Sequence, residues 1–117
     1  MKVFHFNSET DEEVPSAEAV ELDYAGACRV FARLVRARSI FGILLSGGKV
    51  LQIYLEDDGG THLEILDREQ KETLSTAVTT PISEVAIEAA FSGKDIQSEL
   101  GLFFLTWKRS KLPETGA

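Results

Sequence analysis

Between Ser39 and Glu69 three short apolar runs are separated by two Gly-Gly pairs, a spacing that leaves room for little but consecutive antiparallel strands. The runs are Ser39–Ser46, Lys49–Glu56 and Thr61–Asp67, with Gly47-Gly48 and Asp57-Asp58-Gly59-Gly60 between them. Each is too short to hold a helix by itself and is rich in Ile, Leu and Val, which suit a pleated surface. Glycine supplies the positive backbone angles that tight hairpins require. Rough alternation in 49–56 and 61–67 predicts a sheet with one wet face. The run 39–46 is apolar on both faces and is expected to lie centrally.

The flanking sequence extends this pattern. Lys2–Asn7 suits an edge strand, and 8–15 a polar loop punctuated by Pro15; 16–22 fits either a helical turn or a short strand. Asp23 is placed to cap a helix from Tyr24 to about Arg38. On a helical wheel Tyr24, Ala27, Val30, Phe31, Leu34 and Val35 gather on one side, with Arg29, Arg33 and Arg36 opposite. Residues 71–79 alternate as a further strand. Thr80 as N-cap and Pro81 at the first helical position open a second helix that stops at Ser92-Gly93. Leu100–Trp107 reads as a last, strongly apolar strand. This order predicts an α+β fold: an antiparallel sheet of about four to six strands with two main helices packed on it, in a single domain over 1–111.

Hydrophobic residues make up 44% of the 117 positions, too many for a disordered chain. The net charge of −7 argues against a nucleic-acid partner, because phosphates are held by clustered Lys and Arg. It favours a basic partner instead. The single cysteine, Cys28, excludes an intrachain disulfide and a cysteine-based zinc site, and is expected to act as a small core residue. The N-terminus lacks a signal-peptide run, and no stretch approaches the roughly 20 apolar residues of a membrane span. A cytoplasmic location with no membrane partner is therefore expected. The tail 112–117 contains Leu112-Pro113-Glu114-Thr115-Gly116, a sortase-type sequence. With only Ala117 after it and no signal peptide, it reads as an added tag or a coincidence rather than a wall-sorting signal.

Chemistry-bearing patterns are sparse. His5 and His62 lack the spacing of a metal or catalytic motif, and neither glycine pair is followed by the helix that a phosphate loop needs. No catalytic residue and no cofactor are expected. Glu56-Asp57-Asp58 offers hard oxygen ligands, yet cation loops space their ligands over about a dozen residues, so no metal site is expected either. The same acids, with Glu64 and Asp67 further on, present carboxylates suited to Arg and Lys of a partner protein. Tyr54 supplies an aromatic anchor. Tyr54, Glu56, Asp57, Asp58, Glu64 and Asp67 thus form the candidate partner-binding set. The alternative from composition alone is that the acids are solubilising and Tyr54 is core.

From Ser39 to Trp107 the chain resembles the small bacterial immunity proteins that neutralise polymorphic or contact-dependent inhibition toxins. The resemblance lies in the Val50-Leu-Gln-Ile53 strand, the Asp58-Gly-Gly60 turn and Thr61-His-Leu-Glu-Ile65. It continues in the Pro81–Phe91 helix ending at Gly93 and in the closing Trp107. It implies a non-enzymatic cytoplasmic inhibitor that occludes the active site of a cognate toxin, often a basic nuclease or nucleic-acid deaminase. The alternative is a small-molecule or metal-binding regulatory domain.

Overall fold

The structure, a computed structural model, describes residues 1–112; most of the sortase-type sequence lies outside the described residues. The strands are β1 Lys2–Asn7, β2 Glu12–Val14, β3 Val20–Glu21, β4 Ile40–Leu44, β5 Lys49–Leu55, β6 Thr61–Asp67, β7 Glu72–Val78 and β8 Lys108–Lys111. The helices are α1 Tyr24–Arg33, α2 Thr80–Phe91 and the single turn α3 Ile96–Glu99. All eight strands join one sheet in the order β2-β1-β4-β5-β6-β7-β8, with β3 also paired to β1. Every pairing is antiparallel. The α+β antiparallel architecture is the expected one, and the sheet is wider than four to six strands because the N-terminal segment adds pairings.

That segment departs most from expectation. β1 is not an edge strand: β2 and β3 cover one side of it and β4 the other, so Val3, Phe4 and His5 are buried. The polar segment 8–15 folds back as β2, where Glu12 Oε1 lies 2.8 Å from His5 Nε2. The segment 16–22 holds both a 3-10 turn and β3.

α1 begins as expected, with the Asp23 carboxylate accepting from the Gly26 N–H at 2.7 Å. It stops at Arg33 rather than Arg38. Its continuation is drawn into the sheet instead: Arg38 N–H donates to the Leu55 carbonyl and Leu55 N–H to the Ser39 carbonyl. Arg36 therefore leaves the helical arginine stripe. Phe31 and Leu34 are 7% and 5% exposed, and each such burial contributes about 1.5–3 kcal/mol. In α2 the capping position is Thr79, one residue before the one expected, and its side chain makes no capping bond.

Leu100–Trp107 is not a strand. Asp95 caps α3 through the Ser98 N–H, Leu100 is buried beneath it, and a 3-10 turn over Gly101–Phe103 carries the chain outward. The local helical capping outcompetes the apolar run's strand propensity, and Leu102 and Phe104 end 83% and 92% exposed. The strand that closes the sheet is the polar β8, whose charged residues guard an edge against further pairing.

Cross-strand register divides the sheet into two faces. Val3, Ile43, Leu51 and Ile65 form one row and Phe41, Ile53 and Leu63 another, all buried with Ala27, Ala86 and Ile87 of the helices. The opposite face carries the rows Phe4–Gly42–Gln52–Glu64 and Phe6–Ile40–Tyr54–His62. Phe4 and Val50 are buried there outside the helix-covered core.

Candidate functional site

The turn between β5 and β6 is a three-residue hairpin loop. The Gly59 N–H donates to the Glu56 carbonyl at 3.2 Å, and the Glu56 N–H to the Gly60 carbonyl at 3.0 Å. Gly59 sits at φ +85°, the left-handed position that follows a type I turn in such loops. Asp58 Oδ1 accepts the Gly60 N–H at 2.9 Å, which fixes the loop from a side chain. Glu56, Asp57 and Asp58 are all exposed, and none takes part in an ion pair among the described residues. The loop therefore holds three uncompensated carboxylates on a defined backbone.

The remaining members of the candidate set separate by face. Tyr54 and Glu64 meet on the helix-free face, half-buried beside Gln52 and His62. The Tyr54 hydroxyl donates to Gln52 Oε1, and its ring lies 6.4 Å from that of His62. Burial pushes the Tyr54 phenol up to about 12, with the Glu64 carboxylate adding to the effect. Tyr54 is thus a neutral hydrogen-bonding group at physiological pH. Asp67 stands apart. It ends β6 and accepts the N–H groups of Glu69 and Gln70, organising the next turn. At about 3.3 Å per residue, β6 separates it from the acidic loop by about 20 Å. Four of the six candidates, Tyr54, Glu56, Asp57 and Asp58, lie at or near the loop end of the β5–β6 hairpin; Glu64 pairs with Gln52 midway along it, and Asp67 ends its far side.

On the helix side of the same turn lies a cleft of about 520 Å³ between α1 and α2. The helices touch where Tyr24, at the start of α1, meets Phe91, at the end of α2, edge to face with centroids 5.7 Å apart. Leu34 and Val35, beyond the end of α1, and Thr80, at the start of α2, line the gap together with Glu56 and Glu84. Phe31, Leu55 and Ile87 add apolar lining. Cys28, expected in the core, is half-buried and lines this cleft. The neighbouring Cys28 thiol raises the Tyr24 phenol, with smaller contributions from desolvation and from the carboxylates of Glu88 and Glu84.

Sequence reasoning missed the cleft. Tyr24 and Val35 fall on the apolar side of the helical wheel, yet they are 43% and 71% exposed. No local pattern says that two helices part at one end. Among the described residues, no group of three or more His, Cys, Asp and Glu is placed to hold a metal ion. Among the described residues, no helix is long and apolar enough to cross a membrane. Comparison with protein-family models, curated proteins and solved structures finds no match for this chain.

Proposed function

We propose that this chain is an immunity protein, a non-catalytic cytoplasmic inhibitor that binds a basic bacterial toxin domain and occludes its active site. A nuclease or nucleic-acid deaminase is the toxin class that fits an acidic inhibitor. The observation that carries the reading is the Glu56–Asp58 loop, with exposed carboxylates, no intramolecular cationic partner among the described residues, and a backbone held by its own hydrogen bonds. A loop already fixed in shape loses little entropy on docking. Its charge, within a chain of net −7, speeds encounter with a basic surface. Tyr54 and Glu64 extend the same contact onto the helix-free face.

Co-expression with the toxin encoded beside it tests the proposal. Growth should be restored, and the pair should co-elute on size exclusion. Neither rescue nor complex formation would remove the reading. The cleft between α1 and α2 favours a second reading, a small-molecule-binding regulatory domain. A thermal-shift screen separates the two, since a ligand that binds only the folded chain raises its melting temperature without any toxin.

A further inference from the structure

We infer that the cleft between α1 and α2 is a binding site for a small organic cation with a flat apolar body. Its volume of about 520 Å³ falls within the roughly 300–1,000 Å³ range of small-molecule pockets.

The chemistry of the lining selects the charge. Phe31, Leu34, Leu55 and Ile87 provide apolar walls, and Tyr24 a partly exposed aromatic ring suited to stacking or to a cation over its face. Among the described residues, Glu56 and Glu84 are the charged ones lining the cleft, and no Lys, Arg or His lines it. One opposing term exists. Thr80 begins α2, so the positive end of that helix, worth roughly half an elementary charge, also faces this region. Two carboxylates outweigh it. The Thr61 hydroxyl at the cleft is already committed, contacting the Val78 carbonyl at 3.1 Å and Ser83 Oγ at 2.6 Å, so it does not set the ligand's charge.

The inference rests on the second, ligand-binding reading; the cleft shares Glu56 with the proposed toxin contact but needs no toxin residue to complete it. The test uses the full chain and two probes with the same ring, a naphthylethylammonium salt and naphthylacetate, followed by calorimetry and amide chemical-shift mapping. The cation should bind saturably, about tenfold tighter than the anion, which is the scale of two partly exposed charge contacts. Shifts should map to 24–35, 55–61 and 80–87. The double variant Glu56→Gln/Glu84→Gln changes only exposed side chains, and it should reduce the preference to within about threefold. Ala32→Trp, at an exposed position that lines the cleft, should block both probes. Equal affinity for the two probes, shifts that map elsewhere, or no saturable binding of the cation would each overturn the assignment.

Discussion

Gly42 in β4 faces the ring of Phe4 in β1, and the contact fixes what a single methyl group would do there. A Cβ on Gly42 would lie 2.0 Å from Phe4 Cζ and 2.3 and 2.4 Å from the two Cε atoms. Carbon atoms pack at about 3.5–4.0 Å, so the ring must move by about 1.5 Å or more. Phe4 is only 7% exposed, so it has little free space to move into. The backbone itself favours the substitution. Gly42 has no positive φ, and replacing glycine by alanine at a compatible position stabilises by about 0.4–1 kcal/mol through the unfolded state. Overpacking costs about 1–3 kcal/mol, and partial loss of Phe4 burial adds to it. Gly42→Ala should therefore destabilise by about 2–3 kcal/mol, a fall of about 10 °C in melting temperature for a chain this size. Urea denaturation should show a lower midpoint with an unchanged m-value. In a Phe4→Leu background the same substitution should cost less than about 1 kcal/mol, giving a coupling above about 1 kcal/mol in a double-mutant cycle. A single variant within about 0.5 kcal/mol of the parent, or additive effects in the cycle, would refute the reasoning.

Three further outcomes are expected. Asp57→Lys, which leaves the Asp58 bond to Gly60 intact, should slow association with a basic toxin several-fold and flatten its salt dependence in stopped-flow measurements; unchanged rates would place the interface elsewhere. The Tyr54 phenol has its folded pKa raised to about 12 from an ordinary value of 10, so the unfolded state releases this proton first. Stability from this group is therefore full below pH 10 and lost as pH rises toward 12; Tyr54→Phe should remove the ultraviolet tyrosinate transition centred near 12. Thr61→Val should cost about 1–3 kcal/mol by leaving the buried Ser83 hydroxyl without its partner. The added loss from Ser83→Ala in that background should be smaller than from Ser83→Ala alone, as read by urea denaturation.

The hairpins β4–β5 and β5–β6, the strand β7 and the helix α2 were legible because each is specified by neighbours in sequence. Glycines mark the turns, residue alternation marks the strands, and Pro81 and Gly93 bracket the helix. The acidic loop was legible for the same reason. The candidate site was only partly so. Alternation in β5 and β6 assigns Tyr54 and Glu64 to one face, but it does not say which face the helices cover. Asp67 belongs to the same acidic block in sequence, yet the extended strand carries it to the far end of the hairpin.

The sequence by itself determined the α+β class, the acidic tip and the local elements of residues 39–93, since turn geometry and side-chain period act over a few residues. Tertiary structure decided the rest. β1 became an interior strand because two short segments with weak strand signals pair along its outer side. α1 ended early because Leu55 offered its backbone groups to Arg38 and Ser39. The cleft exists because α1 and α2 meet at Tyr24 and Phe91 and part toward the acidic loop. In each case the outcome depends on competition between segments distant in sequence for the same hydrogen-bonding groups or the same buried space, and no local pattern records that competition.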